Sequence, residues 1–354
     1  MINGHGDDAF RYGGKIVANF SSNVYNDVNH EGLMKYLSEE MSCISAYPEP
    51  EPYSLESMIA QDWGLQKENI CVTNGATEAI YLIAQRYRGV KSVIVVPTFS
   101  EYEDACRIHC HVIKYVGFLN SLEKVIASGD VDLVWLCNPN NPTGLVHSRE
   151  RLLQMIGRYV KSVFIIDQSY EYFTQKPVIE AAEVSSCSNL ILLHSMTKRY
   201  AIPGLRLGYI TGSEKIVESI KSIRMPWSVN ALAVRAGKYL ISGRDVSCAK
   251  VENLLEESRW LAEEINAIDI DGRRLFEAMP SDTHYMLVKI NSIPYNSHEI
   301  KEILAHKYGL LIRDASNFHS LDDSYFRIAT QKHEENLLLI AALMEIGESS
   351  REVD

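Results

Sequence analysis

The strongest constraint on the fold is a regular alternation of short apolar runs and helical stretches that starts near Asn69. The apolar runs end in polar or turn-forming residues, which is typical of strands buried on both faces. The first of these runs, ENICVTNGA, leads into TEAIYLIAQRY, whose apolar residues recur at helical spacing. The runs are ENICVTNGA, SVIVVP, VDLVWLC, SVFIID and NLILLHS. This pattern predicts an α/β fold in which helices cover both faces of a mostly parallel sheet.

The alternation stops near SVNALAVRAGKYLISG, and a different pattern follows. A long amphipathic stretch, SCAKVENLLEESRWLAEEINAI, precedes HYMLVKIN, a helix from about Ser297, GLLIRD, YFRIAT and a last helix ending near Ile346. This order predicts a second, smaller α+β domain at the C-terminus. A chain of 354 residues is long enough for a large domain with a smaller companion. We place an N-terminal arm that packs on the small domain at 1–30, the large domain at 31–245 and the small domain at 246–354.

Composition excludes several classes of function. The net charge of -11 argues against non-specific binding to nucleic acid, which depends on a basic surface. No apolar run is long enough to span a bilayer, and MINGHGDDAFRYGG has neither the basic segment nor the apolar core of a secretory signal. Seven scattered cysteines suit a reduced interior. We therefore expect a cytoplasmic protein that binds neither membranes nor nucleic acid.

One cluster, CRIHCH, contains Cys106, His109, Cys110 and His111. The spacing is too tight for a usual zinc site, and no second pair of ligands lies nearby in the sequence. The alternative is the end of a helix followed by the start of a strand. We predict the helix and strand, and no metal.

Candidate chemistry lies where the apolar runs end, because α/β sheets bind ligands at the carboxyl ends of their strands. NGATEAI places backbone amides at the start of a helix, which is either an anion site or a tight turn capped by Thr77 or Asn74. NPNNPTG follows VDLVWLC, and its three asparagines exceed what a turn needs. These amides and asparagines are candidates for binding a polar ligand.

Two further motifs carry ionisable groups. FIIDQSYEYF ends a strand at Asp167, which either caps a helix or pairs with a cationic ring nitrogen, and Tyr170 follows. HSMTKRYAIPGLRLGY places Lys198 just past another strand and Arg206 eight residues later. A lysine in such a position can have a depressed pKa, which makes its amine a usable nucleophile.

Taken in this order, the motifs resemble those of fold-type I enzymes dependent on pyridoxal 5′-phosphate (PLP), in the class I/II aminotransferase superfamily. The resemblance extends from FSSNVY to YFRIATQKHEENLLLI, nearly the whole chain. It implies the aspartate-aminotransferase-like fold, with a large PLP-binding domain, and an enzyme whose cofactor is PLP. Complete cofactor motifs argue against a catalytically dead regulatory domain of the same fold. An NAD-dependent dehydrogenase is disfavoured because no glycine-rich dinucleotide fingerprint follows a first strand.

The resemblance also implies roles for single residues. Lys198 would hold PLP as a Schiff base, Asp167 would pair with the ring nitrogen, and Asn141 and Tyr170 would contact the phenolic oxygen. Tyr102, in PTFSEYE, would stack on the ring. The phosphate of PLP would be bound by Gly75, Ala76, Thr77, Ser195, Arg206 and, from the neighbouring subunit of a homodimer with shared active sites, Tyr47.

Substrate residues follow from the same resemblance. Arg327 would grip the α-carboxylate with its bidentate fork. Arg313 and His5 are candidates for a substrate phosphate, and Asn23, in FSSNVY, is a further candidate for substrate binding. The expected substrate is a small phosphorylated amino acid.

Two subfamilies share these features: threonine-phosphate decarboxylases of cobalamin biosynthesis and histidinol-phosphate aminotransferases. TKRYAIPGLRLGY, MPWSVNALA, IRDASNF and the N-terminal GHGDDAFRYGG resemble the decarboxylases. The chain departs from the family at His194, where arginine is common, and in DQSYEYF, which replaces the usual Asp-Glu pair. We expect decarboxylation of L-threonine O-3-phosphate to aminopropanol phosphate, with transamination of the histidinol-phosphate type as the alternative.

Overall fold

The computed structural model describes residues 6–24, 27–117, 119–243 and 250–349. Helices in these ranges are α1 Glu31–Glu39, α2 Tyr53–Trp63, α3 Gly75–Arg86, α4 Glu101–Ile108, α5 Leu119–Ala127, α6 Arg149–Arg158, α7 Met196–Arg199, α8 Glu214–Lys221, α9 Ala231–Ile241, α10 Val251–Asn266, α11 Ser297–Ile303 and α12 His333–Ser349. None of the helices in the described ranges is both long and apolar enough to cross a membrane.

Strands in the same ranges are β1 Ala18–Asn19, β2 Ile70–Thr73, β3 Lys91–Val95, β4 Val112–Val116, β5 Leu133–Cys137, β6 Val163–Asp167, β7 Leu190–Ser195, β8 Gly208–Gly212, β9 Asp269–Ile270, β10 Arg273–Arg274, β11 Phe276–Ala278, β12 Tyr285–Ile290, β13 Leu310–Leu311, β14 Arg313–Asp314 and β15 Tyr325–Ala329.

Seven strands form the main sheet, in the order β2-β8-β7-β6-β5-β3-β4. The neighbours from β7 to β4 run parallel, and β8 runs antiparallel to both β2 and β7. Successive residues of β5 enter opposite cores: Val134 and Leu136 pack on one face of the sheet, and Leu133 and Trp135 on the other. A strand buried on both faces must be apolar throughout, which is the pattern in the sequence. The predicted mostly parallel α/β sheet is confirmed.

The register of the main sheet aligns the carboxyl ends of its central strands. Cys137 at the end of β5 pairs with Asp167 at the end of β6, and Asp167 pairs with Leu193 of β7. Ser195, two residues further, pairs with Gly208 of β8. The turns that follow these strands, including NPNNPTG and the segment with Lys198, therefore meet at one edge.

A second sheet, β11-β12-β15-β14, is antiparallel and lies in the C-terminal part of the chain. Apolar residues of α10 and α12, such as Leu261 and Leu343, pack with Phe276 and Phe326 of this sheet in one core. The N-terminal segment joins this part of the molecule, because β1 pairs in parallel with β13 and the Ala329 amide donates to the Phe20 carbonyl at 2.9 Å. The domain limits near residues 30 and 245 remain predictions.

The segment CRIHCH is the end of α4 followed by β4, as the sequence predicts. Cys106 is buried in a core, while the ring of His111 contacts Ser92 Oγ at 2.7 Å and the Ala84 carbonyl oxygen at 2.8 Å. No group of three His, Cys, Asp or Glu side chains within the described ranges could hold a metal ion.

Candidate active site

Two adjoining cavities lie at the carboxyl edge of the main sheet. The inner cavity, of about 150 Å³, is lined by predicted cofactor residues that include Tyr102, Asp167, Ser195 and Arg206. The outer cavity, of about 510 Å³, is lined by the predicted substrate residues Asn23, Arg313 and Arg327. Both cavities share Thr77, Asn141, Tyr170 and Lys198. The structure thus brings the predicted cofactor residues and the predicted substrate residues together around Lys198.

Lys198 belongs to α7, the short helix that directly follows β7. Its Nζ lies 5.9 Å from the centroid of the Tyr170 ring. Burial, together with the charges of Arg327 and Arg206, lowers the pKa of Lys198 to about 8, and Asp7 and Asp167 act in the opposite direction. An amine with this pKa is partly neutral near pH 7 and can act as a nucleophile.

The pKa of Lys198 predicts how fast PLP attaches to the cofactor-free protein. Only the neutral amine reacts, so the rate should rise about tenfold per pH unit below pH 8 and level off above it. The rate can be followed as visible absorbance develops after PLP is added to apoprotein between pH 6 and 10. The Lys198→Ala variant gives the background from other lysines. A rate that still rises tenfold between pH 9 and 10 would contradict the lowered pKa.

Asp167 is a buried carboxylate at the end of β6. Its Oδ2 accepts a hydrogen bond from the Tyr102 hydroxyl at 2.6 Å. Its Oδ1 accepts from the Ser169 amide at 2.9 Å and from the Ser169 hydroxyl at 2.6 Å. These donors make burial of the carboxylate tolerable, and Asp167 still lines the inner cavity, where it can face a cationic ring nitrogen. The Tyr102 ring stacks on Trp135, with centroids 5.5 Å apart, and its stacking on PLP stays a prediction.

The turn Gly75–Thr77 opens α3, and its Ala76 and Thr77 line the inner cavity together with Arg206. The Asn74 side chain makes no capping hydrogen bond, so the first amides of α3 are available to an anion. Gly75 has a φ of 77°, and a Cβ there would lie 2.6 Å from Arg206 Nη2. A Cβ at Gly208 would lie 2.6 Å from the Ala76 nitrogen. Gly75 and Gly208 therefore allow the N-terminus of α3, the Arg206 guanidinium and β8 to lie in close contact. This arrangement is a cradle suitable for binding a phosphate.

We expect Gly75→Ala to weaken the binding of PLP by about tenfold, because the new methyl group would displace the Arg206 guanidinium from the phosphate site. The measurement is a titration of apoprotein with PLP. Gly157→Ala is the matched control: Gly157 lies within α6, and a Cβ there meets no other atom within 4 Å. Equal PLP affinity in both variants would contradict the proposed cradle.

Arg327 and Arg313 form a pair of buried cations in the outer cavity. They are register partners on β15 and β14. Arg327 donates to Asn141 Oδ1 and, at 2.5 Å, to the Ser21 carbonyl oxygen. Arg313 donates to the Asp314 carbonyl at 2.7 Å and to Asn317 Oδ1 at 2.8 Å. Burial, and then the charge of Arg327, lower the pKa of Arg313 to about 10, so an anion between the two guanidiniums would be strongly favoured.

Two carboxylates also line the outer cavity, and both have neutral donors. Asp7 Oδ1 accepts from Asn19 Nδ2 at 2.6 Å, and Glu101 Oε2 accepts from the Tyr81 hydroxyl at 2.8 Å. The N-terminal segment lies beside the arginine pair, since a Cβ at Gly6 would lie 3.3 Å from Arg313 Cδ. His5, a predicted substrate residue, lies outside the described residues.

Tyr47 is separated from both cavities of its own chain. Its side chain is 86% exposed and its ring lies 5.3 Å from that of Trp227. The role predicted for Tyr47 is in the active site of a neighbouring subunit, and this role stays a prediction.

The two departures from the family pattern contact each other. His194 Nδ1 lies 2.9 Å from Glu171 Oε1, within DQSYEYF, and His194 Nε2 lies 3.1 Å from Thr211 Oγ1. The His194 ring also stacks on Tyr209, with centroids 4.6 Å apart. His194 is thus a buried, fully bonded side chain that neighbours Ser195 in the sequence but does not line either cavity.

Sequence reasoning missed several residues of the site. Ser169 had a recognisable signal, because an Asp commonly accepts from the amide two residues later. Phe99 and Thr197 are buried or half-buried neighbours of predicted residues and line the inner cavity. The Ser21 carbonyl, which accepts from Arg327, has no signal in the sequence because every residue has a carbonyl.

The fold and the arrangement around Lys198 define a fold-type I, PLP-dependent enzyme. The family model for aminotransferase class I and II matches residues 15–343, and the chain belongs to this family. The cofactor of the family is PLP, as the sequence predicts.

The relatives include both predicted subfamilies. The crystal structure of L-threonine-O-3-phosphate decarboxylase from Porphyromonas gingivalis has a TM-score of 0.88 and 36% identity, covering 94% of this chain and 100% of that one. The threonine-phosphate decarboxylase of Salmonella typhimurium is 28% identical over 347 residues, 92% of this chain and 90% of that protein. The histidinol-phosphate aminotransferase of Ruminiclostridium cellulolyticum is 27% identical over 343 residues, 94% of this chain and 92% of that protein.

Proposed function

We propose that the enzyme decarboxylates L-threonine O-3-phosphate to aminopropanol phosphate and carbon dioxide, a step of cobalamin biosynthesis. The pairing of Arg313 with Arg327 in the outer cavity carries this proposal. Threonine phosphate has a carboxylate and a phosphate a few ångströms apart, so one small molecule can satisfy both guanidiniums. The similarity to threonine-phosphate decarboxylases supports the same choice.

The residues of the inner cavity suit PLP. Gly75, Ala76, Thr77, Ser195 and Arg206 would hold its phosphate, and Asp167 would face its ring nitrogen. Asn141 and Tyr170 would contact its phenolic oxygen. Bound PLP supplies an electron sink for the electron pair released at the substrate Cα, and a carboxylate beside the ring nitrogen deepens that sink.

Residues of this chain would then decide which bond at Cα breaks. Arg327, held by Asn141 and the Ser21 carbonyl, fixes the orientation of the substrate carboxylate. Arg313 holds the substrate phosphate, which prevents the molecule from rotating about its carboxylate. Lys198 lines both cavities, so its amine can deliver a proton to Cα after carbon dioxide leaves. A misplacement of about 1 Å in such an arrangement can cost about 100-fold in rate.

A single experiment separates decarboxylation from transamination. The purified enzyme, loaded with PLP, is incubated with threonine phosphate alone and, separately, with histidinol phosphate plus 2-oxoglutarate. Carbon dioxide released from the first mixture, with no keto acid present, is the expected result. Glutamate formed in the second mixture, without carbon dioxide from the first, would overturn the proposal in favour of the aminotransferase.

We also propose a homodimer in which Tyr47 of each subunit contacts the PLP phosphate of the other. An exposed aromatic and apolar group supports this: Tyr47, Tyr53, Met225 and Trp227 are exposed, and the Tyr47 and Trp227 rings are in contact. A surface of this kind favours a protein partner.

Mixed dimers test the sharing of sites. Lys198→Ala and Tyr47→Ala subunits are each inactive or weak alone, yet a dimer of one of each has one intact site. Random mixing should therefore restore about a quarter of wild-type activity. Activity no greater than that of the two variants measured separately, in a preparation shown to contain mixed dimers, would exclude a shared site.

A further inference from the structure

Several buried polar atoms without a hydrogen-bond partner gather beside the outer cavity. His284 is 0% exposed and Asn23 1% exposed; the ring nitrogens of His284 form no hydrogen bond within the described residues, and the Asn23 amide lies near the Tyr170 hydroxyl without good hydrogen-bond geometry. Arg327 Nε and Thr330 Oγ1 are also buried and form no hydrogen bond within the described residues. Buried polar groups in native proteins are nearly always paired, so a group of poorly paired ones beside a binding cavity calls for an explanation.

The backbone brings His284 next to the residues that position Arg327. His284 precedes β12, and its carbonyl accepts a hydrogen bond from the Thr330 amide at 2.7 Å, just beyond β15. The Ala329 amide donates to the Phe20 carbonyl and Arg327 donates to the Ser21 carbonyl, so residues 20 and 21 lie beside β15. Asn23 lines the outer cavity, while His284 does not. The imidazole therefore lies in the layer behind the substrate residues.

The surroundings of His284 keep its ring neutral. Burial, together with the charges of Lys198 and Arg327, lowers the pKa of His284 to about 3, and the nearby backbone of Asn23 acts in the opposite direction. Phe173 packs against the ring, with centroids 4.2 Å apart. A neutral imidazole has one donor and one acceptor, and its donor suits a backbone carbonyl such as those of the segment 20–23. It adds no third positive charge beside Lys198 and Arg327.

We propose that His284 is a positioning residue for the carboxylate site. Its ring, which adjoins the backbone of Asn23, orders the segment 20–23, and this segment includes the Ser21 carbonyl that Arg327 contacts. In this way His284 sets the direction in which Arg327 and Asn23 face the substrate carboxylate. The proposal concerns the carboxylate of any amino-acid substrate, so it does not depend on which reaction the enzyme performs.

The test compares a ligand that has a carboxylate with one that lacks it. Dissociation constants are measured from the visible absorbance of the PLP-loaded enzyme, for threonine phosphate from the first absorbance change after rapid mixing, before turnover, and for aminopropanol phosphate at equilibrium. His284→Leu keeps a similar size but removes both ring nitrogens. It should raise the dissociation constant of threonine phosphate by about tenfold or more, and change that of aminopropanol phosphate by less than about twofold. His284→Gln, which restores a donor and an acceptor, should recover most of the affinity.

A matched control separates this effect from lost stability. His111 is also buried, but both of its ring nitrogens have partners and it lies outside both cavities. His111→Leu should lower the melting temperature without changing either dissociation constant. The proposal would be overturned if His284→Leu left the ratio of the two dissociation constants unchanged, whether neither ligand or both ligands bound more weakly. If the enzyme proves to be an aminotransferase, L-glutamate and histidinol phosphate form the corresponding pair, so failure of the proposed reaction does not obscure this result.

Discussion

Lys198→Ala is expected to lose about 10²–10⁴-fold in kcat and all covalent retention of PLP, because in the proposed mechanism one amine would serve both the cofactor and proton transfer at Cα. Lys198 is the titratable residue that lines both cavities and has a lowered pKa. The measurement is turnover of threonine phosphate together with visible absorbance after gel filtration. A second variant, Lys198→Arg, retains a charge but cannot form the covalent bond, and should be equally inactive.

The control for this prediction is a lysine that bonds to a carboxylate away from both cavities. Lys176 Nζ lies 2.8 Å from Asp282 Oδ1, and Lys176→Ala should retain both turnover and PLP. A Lys198→Ala enzyme with more than about a tenth of wild-type kcat would show that another group performs the chemistry.

Arg327→Leu is expected to lower kcat/KM by about 30- to 5,000-fold, equivalent to about 2–5 kcal/mol, because a buried carboxylate would lose its charged partner. Arg327 is 5% exposed, so little water can replace the guanidinium. Arg327→Lys should recover only part of the loss, since an ammonium cannot form the bidentate fork. PLP binding, measured by titration of the apoprotein, should change little because Arg327 does not line the inner cavity.

Arg158→Leu provides the matched control for the loss of an arginine. Arg158 lies at the surface and pairs with Glu123 at 2.8 Å, an ion pair that contributes little in solvent. Its kcat/KM should remain within about twofold of wild type. A similar, small loss in Arg327→Leu would contradict the assignment of Arg327 to the carboxylate.

The sequence was most informative where a side chain follows a buried strand. The motifs with Asn141, Asp167 and Lys198 lie together because parallel strands bring their carboxyl ends to one edge of the sheet. The order of these strands along the chain was therefore sufficient to predict that the three residues share a site. The orientation of β8 was not predictable in the same way. GYITG is short and apolar in either direction, and only its pairing with β2 and β7 makes it antiparallel.

The outer cavity was less predictable because packing between distant segments creates it. Asn23 and Arg327 were found by resemblance, but their relation to His284 depends on how residues 20 and 21 lie beside β15. A buried histidine without partners looks in the sequence like any other histidine. Tyr47 illustrates a different limit, since its predicted role requires a second subunit that a single chain cannot provide.

The hydrogen bond between Arg327 and the Ser21 carbonyl joins residues 306 positions apart. Lys301 and Asp8, and Glu302 and Tyr12, join the same two ends of the chain at 2.7 and 2.8 Å. During synthesis, every strand of the main sheet has left the ribosome long before Arg327, because the last of them ends at Gly212. The nascent chain can therefore form the phosphate cradle early. The N-terminal residues, such as Asp8 and Ser21, cannot form their contacts until Lys301 and Arg327 have been synthesised. We therefore expect the site for the amino acid to form after the cradle, and a chain that stops before β15 to retain the cradle without it.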